Sequence, residues 1–86
     1  RRNNPQAGSY TNYLLDKGVE KICKKIGEEA SESIIAAMKN DKDELACELA
    51  DLYYNTFVLM NDRGITLSDV LAVLEERAAS ERKRNY

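Results

Sequence analysis

Apolar side chains recur at intervals of three and four positions along most of this chain, and that spacing is the period of an amphipathic α-helix. The first run predicts one helix over residues 11–39, with Ser9 or Thr11 as its N-cap. Gly18 and Gly27 lie inside this predicted helix, so we expect a bend or a close backbone approach there. The stripe consists of Leu15, Val19, Ile22, Ile26, Ala30, Ser33 and Ala37.

A short loop follows this helix. Asn40 suits the left-handed residue that ends a helix, and Asp41 with Glu44 has the spacing of a capping box that begins the next one. A second helix is therefore predicted over residues 42–62. Because the loop is so short, this helix should run antiparallel to the first.

The same signals recur once more along the chain. Gly64 suits the end of the second helix, and Thr66 with Asp69 has the capping spacing that begins a third helix, which we expect to end near Ser80. The predicted division of the chain is a linker at residues 1–8, one all-α domain at residues 9–80 and a flexible charged tail at residues 81–86.

Apolar side chains also extend further round the helices than one hairpin requires. Ile34, Ile35 and Met38 lie outside the main stripe of the first helix, and Phe57 and Val58 do so on the second. Large apolar patches are rare on monomers, and a chain of this size buries only about 60% of its surface. We therefore expect an antiparallel helical hairpin plus a third helix, forming a four-helix-bundle core in a homodimer.

The absence of histidine excludes much enzyme chemistry, including a histidine base, a Ser/His or Cys/His pair and any imidazole zinc site. A net charge of −2 and a pI near 5.1 argue against a nucleic-acid partner. The sequence has no apolar run of about 18 residues, so we expect no membrane partner. Cys23 and Cys47 are predicted to be reduced, buried thiols of a cytoplasmic protein.

The spacing of the acidic residues is the most informative feature for function. Glu29 and Glu32 are three positions apart on the first predicted helix, and Glu48 and Asp51 are three apart on the second. Each pair therefore shares a helical face, and both pairs border apolar stripes that an antiparallel hairpin brings together. Carboxylates so close repel each other unless a cation neutralises them, and ligation by oxygen alone favours Mg²⁺, with Mn²⁺ as second choice.

Other polar residues share this face, each with two interpretations. Glu28 is either a further ligand or a solvated side chain. Lys21 and Lys25 are suited to hold substrate phosphate and also to pair with nearby acids such as Glu29, and the two roles are compatible. Asn55 either orients a ligand or contacts a substrate. The acids themselves also have an ordinary interpretation as solvated, lysine-paired residues, and their spacing leaves both interpretations open.

Four stretches of the chain resemble a known family. They read SYTNYLLDKG, KICKKIGEEASESIIAA, ELADLYYNTFVLM and RGITLSDVL, and they are similar to the phosphoribosyl-ATP pyrophosphohydrolases of histidine biosynthesis. These enzymes belong to the all-α, MazG-like nucleotide pyrophosphohydrolases, whose signature is Glu-x-x-Glu on one helix and Glu-x-x-Asp on the next. The resemblance implies that magnesium is bound by Glu29, Glu32, Glu48 and Asp51, with Glu28 in the acidic motif.

The resemblance also implies a reaction and an assembly. The implied reaction is hydrolysis of phosphoribosyl-ATP to phosphoribosyl-AMP and pyrophosphate, and the implied assembly is a dimer whose protomers share a helical bundle. Lys25 matches the lysine that precedes Gly-Glu-Glu. Members of the family often carry Tyr-His where this chain has Tyr54-Asn55, which leaves the role of position 55 open.

On this interpretation a water molecule attacks phosphorus in line, and a carboxylate, Glu28 or Glu32, accepts its proton. The predicted catalytic residues are thus Glu28, Glu29 and Glu32. Two alternatives remain. One is a house-cleaning nucleoside triphosphate pyrophosphohydrolase with the same metal chemistry, and the other is a non-catalytic helical oligomerisation module.

Overall fold

Four helices make up the part of the chain that the structure describes. The computed structural model describes the backbone of residues 5–85 and the side chains of residues 10–82, and no strand occurs in that range. The helices are α1 (Pro5–Lys17), α2 (Val19–Met38), α3 (Lys42–Arg63) and α4 (Leu67–Asn85). The predicted all-α class is confirmed.

The first predicted helix is in fact two helices. α1 ends at Lys17, and Gly18 takes φ of 90° and ψ of −177° before α2 begins at Val19. A positive φ of this kind suits glycine, which has no Cβ to clash with the backbone. The prediction of one helix over residues 11–39 was therefore wrong at Gly18, whereas Gly27 lies within α2 without a break.

The outer ends of the helices also differ from the prediction. α1 begins at Pro5, so residues 5–8 of the expected linker are helical. Thr11 lies inside α1, where its hydroxyl group hydrogen-bonds that of Tyr54, and it does not cap the helix. α4 continues to Asn85 because its last residues are mostly good helix formers. Residues 1–4, residue 86 and the Ser9 side chain lie outside the described part of the chain.

The turn between α2 and α3 forms as predicted. Asn40 is in the left-handed region with φ of 60°, and the backbone N–H of Asp41 donates to the carbonyl oxygen of Ala36 at 3.1 Å. Asp41 then caps α3, because its Oδ1 accepts a hydrogen bond from the Glu44 N–H at 3.1 Å. These contacts fold α3 back along α2, and the two helices form the main packing interface of the protein.

The turn between α3 and α4 is also as predicted. Gly64 takes φ of 71° at the end of α3, and the Ile65 N–H donates to the Met60 carbonyl oxygen at 2.9 Å. The Thr66 N–H donates to Asp69 Oδ2, and the Asp69 N–H donates to Thr66 Oγ1, so the capping box is complete. The beginning of α4 is therefore set by local hydrogen bonds.

The core is small and lies where α1 meets the hairpin. Leu14, Ile22 and Val58 are its buried residues, with Leu15, Ile26 and Leu59 packed against them. Val58 is therefore a core residue, not part of an uncovered face. All of α4 from residue 67 to residue 82 is exposed. The radius of gyration, 16.2 Å, exceeds the roughly 12 Å expected for a compact domain of this length.

Cys23 and Cys47 are free thiols, as predicted, but both are exposed. The prediction of burial was wrong because neither position faces the core formed by α1, α2 and α3. Among the described residues, no helix combines the length and apolarity that a membrane crossing requires.

Candidate functional site

Acidic side chains of α2 and α3 meet at one place on the hairpin. One carboxylate oxygen from each of Glu29, Glu48 and Asp51 lies within 4.8 Å of the other two. Oxygens bound to a single hard cation at 2.0–2.6 Å are about 3–5 Å apart, so these three oxygens are close enough to share one ion. The expected convergence of acids across the antiparallel pair is present.

The other two acids of the predicted site occupy its edge. Glu32 lies beside Glu48, the residue that does most to raise its pKa, although Glu32 does not contribute one of the three clustered oxygens. Glu28 is exposed, and its Oε1 is 3.7 Å from Lys25 Nζ. The structure thus brings four of the five acids together and turns Glu28 outward, with Lys25 pairing to Glu28 and not to Glu29.

Burial increases toward Glu29. This residue is only 9% exposed, and its Oε1 has no hydrogen-bond partner within the described part of the protein. A buried carboxylate oxygen without a partner is costly, because it has lost water and gained nothing in return. An oxygen of this kind, beside two further carboxylates, fits a hard divalent cation such as Mg²⁺ or Mn²⁺.

The crowding of carboxyl groups changes their protonation. The pKa of Glu48 is raised, and the largest cause is hydrogen bonding with the carboxyl group of Glu29. Desolvation and the charges of Glu29 and Asp51 raise it further. Hydrogen bonding with Glu32 acts in the opposite direction and lowers it. The pKa of Glu32 is raised mainly by hydrogen bonding with Glu48 and by the negative charge of Glu48. Both shifts include a contribution from like-charge repulsion, which a cation would relieve.

α1 is held against α3 next to the acids. Asn55 is 2% exposed, and its Nδ2 donates to the backbone oxygen of Asp51 at 2.9 Å. Its Oδ1 accepts a hydrogen bond from the hydroxyl group of Tyr10 at 3.3 Å, and the Tyr10 ring stacks on Tyr54 with centroids 5.8 Å apart. Asn55 therefore links α1 to the helix turn that carries Asp51, and its predicted contact with a substrate remains a prediction.

The two predicted phosphate-binding lysines have different surroundings. Lys25 is partly buried and lies near Glu28 and Glu32. Lys21 lies over the Tyr13 ring, with Nζ 5.8 Å from the centroid, and Lys17 lies at the same distance from that ring. Sequence reasoning did not single out Tyr13 and Lys17, because the bend at Gly18 decides which α1 side chains meet α2.

Ser33 is a further residue of interest, and its sequence position indicated only a place in the apolar stripe of the first predicted helix. It is 7% exposed, and its hydroxyl oxygen has no hydrogen-bond partner within the described part of the protein. A polar residue at a core position was the signal that could have identified it.

The fold and the site together define an all-α protein with an acidic cluster between two antiparallel helices. The chain belongs to the phosphoribosyl-ATP pyrophosphohydrolase family, whose model matches residues 1–78. The membership confirms the resemblance seen in the four sequence stretches.

Several relatives agree with this assignment. A phosphoribosyl-ATP pyrophosphatase of Streptococcus thermophilus is 51% identical over 94% of this chain and 78% of its own length. One from Bacillus thuringiensis is 52% identical over 90% of this chain and 72% of its own. A histidine biosynthesis bifunctional protein, HisIE, of Oceanobacillus iheyensis is 53% identical over 90% of this chain. The matched region is only 36% of that longer protein.

Proposed function

We propose that this chain hydrolyses phosphoribosyl-ATP to phosphoribosyl-AMP and pyrophosphate in histidine biosynthesis, and that the reaction depends on Mg²⁺. The single observation that carries the proposal is the carboxylate cluster of Glu29, Glu48 and Asp51 in a chain of this family. Membership of the family supports the choice of substrate, and the carboxylate cluster is a site suited to phosphate chemistry.

The cation-binding residues are Glu29, Glu48 and Asp51, with Glu32 beside them. A bound Mg²⁺ neutralises the charge of phosphate oxygens and of the leaving pyrophosphate. Mn²⁺ is an alternative, because it prefers the same oxygen ligands. The buried Oε1 of Glu29 has no hydrogen-bond partner among the described residues, which supports the assignment, since this oxygen requires a positive or hydrogen-bonding partner.

The remaining residues of the site bind the substrate and accept the proton of the attacking water molecule. The water molecule that attacks phosphorus is oriented by a carboxylate at the edge of the cluster, and that carboxylate takes up its proton. Glu32 is the better candidate, because it lies beside Glu48 without contributing one of the three clustered oxygens. Glu28 is the second candidate and lies further out.

Lys25 and Lys21 bind phosphate oxygens in this proposal. The contact between Lys25 and the exposed Glu28, at 3.7 Å, is a weak surface ion pair. Lys25 can therefore exchange Glu28 for a phosphate group at little cost.

A homodimer in the cytoplasm is part of the same proposal. α4 and the outer faces of the hairpin expose large apolar side chains, which a second copy of the chain would cover. The exposed apolar residues include Ile34, Ile35, Met38, Phe57, Leu67, Leu71 and Leu74. The free, exposed thiols of Cys23 and Cys47 are suited to a reducing compartment.

The substrate assignment is tested by comparing turnover of phosphoribosyl-ATP with that of dCTP, ATP and other nucleoside triphosphates, all in Mg²⁺. We expect pyrophosphate release from phosphoribosyl-ATP to exceed that from the others. Equal activity on all triphosphates would favour a house-cleaning pyrophosphohydrolase. Activity on none would favour an oligomerisation module.

A further inference from the structure

The hydroxyl group of Ser33 has an unusual position for a serine inside a helix. It is buried, and it has no hydrogen-bond partner among the described residues. A helical serine commonly bonds the carbonyl oxygen four residues earlier, and Ser33 does not. The oxygen therefore remains available to another group, at a cost to the stability of the protein.

The nearest unmet requirement on the same helix belongs to Glu29. Within the described range, Glu29 Oε1 and Ser33 Oγ are the two buried side-chain polar atoms without a partner. The two residues are four positions apart on α2, so they share one face with their Cβ atoms about 5–6 Å apart. Side chains of a helix tilt toward its N-terminus, which inclines Ser33 toward the turn that carries Glu29.

We propose that Ser33 is a positioning residue of the acidic site, an inference that rests on the proposed function. Its hydroxyl group donates a hydrogen bond directly to Glu29 Oε1 when the Glu29 carboxylate turns to hold a divalent cation. This hydrogen bond fixes the orientation of the carboxylate for the cation. A direct bond suits the burial of both oxygens, since neither has room for a water molecule beside it.

A serine that only fills space would respond differently to substitution. Ser33→Ala removes a buried hydroxyl group without a partner and improves helix propensity, so the metal-free protein should be as stable as wild type or more stable. Only the positioning role predicts that the same substitution weakens cation binding. Stability and cation affinity then change in opposite directions.

The experiment is a calorimetric titration of the full chain with Mg²⁺, paired with thermal unfolding in EDTA. Ser33→Ala should raise the Mg²⁺ dissociation constant about tenfold, the usual size of an outer-sphere effect. Ser33→Cys, which keeps the shape and weakens the hydrogen bond, should also raise it. Ser33→Thr keeps the hydroxyl group and should retain most of the affinity. Ser31→Ala, at an exposed position two residues away on α2, is the matched control and should leave affinity unchanged.

Two results would overturn the inference, and they differ. If wild type binds Mg²⁺ and both Ser33→Ala and Ser33→Cys bind it equally well, Ser33 does not position the site, while the proposed function stands. If wild type itself binds no Mg²⁺, the proposed cation site fails and the inference fails with it.

Discussion

Glu48 is crowded by two carboxyl groups of α2, those of Glu29 and Glu32. We predict that Glu48→Gln raises the thermal unfolding temperature in EDTA, because it removes one of several crowded negative charges. The same variant should lose most of the stabilisation that Mg²⁺ gives wild type. Differential scanning fluorimetry with and without Mg²⁺ measures both effects.

The control for this prediction is Glu20→Gln, which changes an exposed acid in the first turn of α2, away from the cluster. It should leave the response to Mg²⁺ unchanged. A Glu48→Gln protein that is less stable in EDTA, yet fully stabilised by Mg²⁺, would contradict the assignment of Glu48.

The raised pKa values also predict a pH dependence. In the folded state the pKa values of Glu32 and Glu48 are raised above the ordinary value of 4.5. At a pH between the ordinary and the raised values, the folded state therefore binds more protons than the unfolded state. Stability must then fall as pH rises from about 4.5 through the raised pKa values. We expect wild type in EDTA to match Glu32→Gln/Glu48→Gln below that window and to be the less stable of the two above it, as measured by urea unfolding. A difference that stays constant across the window would exclude the shifts.

At the residue scale, the sequence predicted the acids better than their surroundings. Glu29, Glu48 and Asp51 could be placed together because a spacing of three fixes a shared helical face, and the short loop fixes the antiparallel partner. The burial of Asn55 could not be predicted, since it depends on Tyr10 reaching it from α1. The exposure of Cys23 could not be predicted, because the usual burial of free cysteine says nothing about how this helix packs.

Among the elements, Gly18 and Gly27 provide a matched pair of glycines with opposite expected effects. An added Cβ meets no atom within 4 Å at either position, but Gly18 has φ of +90° and Gly27 is helical. We predict that Gly18→Ala lowers the free energy of unfolding by about 1–3 kcal/mol, because φ of 90° with ψ of −177° is a conformation that essentially only glycine adopts. Gly27→Ala should raise it by up to about 1 kcal/mol through helix propensity.

Chemical denaturation of both variants measures this contrast. If Gly18→Ala were as stable as wild type, α1 and α2 would tolerate a continuous helix, and the break at Gly18 would not be required by the fold. A destabilised Gly27→Ala would contradict the helix-propensity argument, since no atom crowds an added Cβ at that position.

At the element scale, prediction succeeded where the determining contacts were local. Asn40, Asp41, Gly64 and the Thr66–Asp69 pair set both turns through hydrogen bonds within a few residues. The break at Gly18 was not predicted because both Gly18 and Gly27 lie between positions of an uninterrupted apolar stripe, and no local signal distinguishes the two glycines. Tertiary packing of α1 on the hairpin decides between them.

For the whole molecule, α4 is the element that demands a partner. Its apolar residues are exposed, with Leu71 and Leu74 about half accessible, and the protein is more extended than its length predicts. We predict that wild type is a dimer and that Leu71→Glu/Leu74→Glu shifts it toward the monomer, because charges cannot be buried unpaired at an interface. Light scattering after size-exclusion chromatography measures the mass, and Glu76→Ala, an exposed polar change on α4, is the control.

A monomeric wild type at micromolar concentration would contradict that prediction. At this scale the sequence placed Ile34, Ile35, Met38 and Phe57 correctly on an uncovered apolar surface. It did not predict that Val58 enters the core or that α4 remains uncovered. The surface that a second copy covers depends on the angle at which α4 leaves the hairpin. That angle is a tertiary property that a helical pattern does not contain.

The most direct test of the central claim is Mg²⁺-dependent release of pyrophosphate from phosphoribosyl-ATP by wild type and by Glu29→Gln/Glu48→Gln. We predict that wild type is inactive in EDTA and active with Mg²⁺, and that the variant loses at least about 100-fold in kcat/KM, or about 2.7 kcal/mol of transition-state stabilisation. A folded variant with wild-type activity, or wild-type activity that is independent of Mg²⁺, would contradict it.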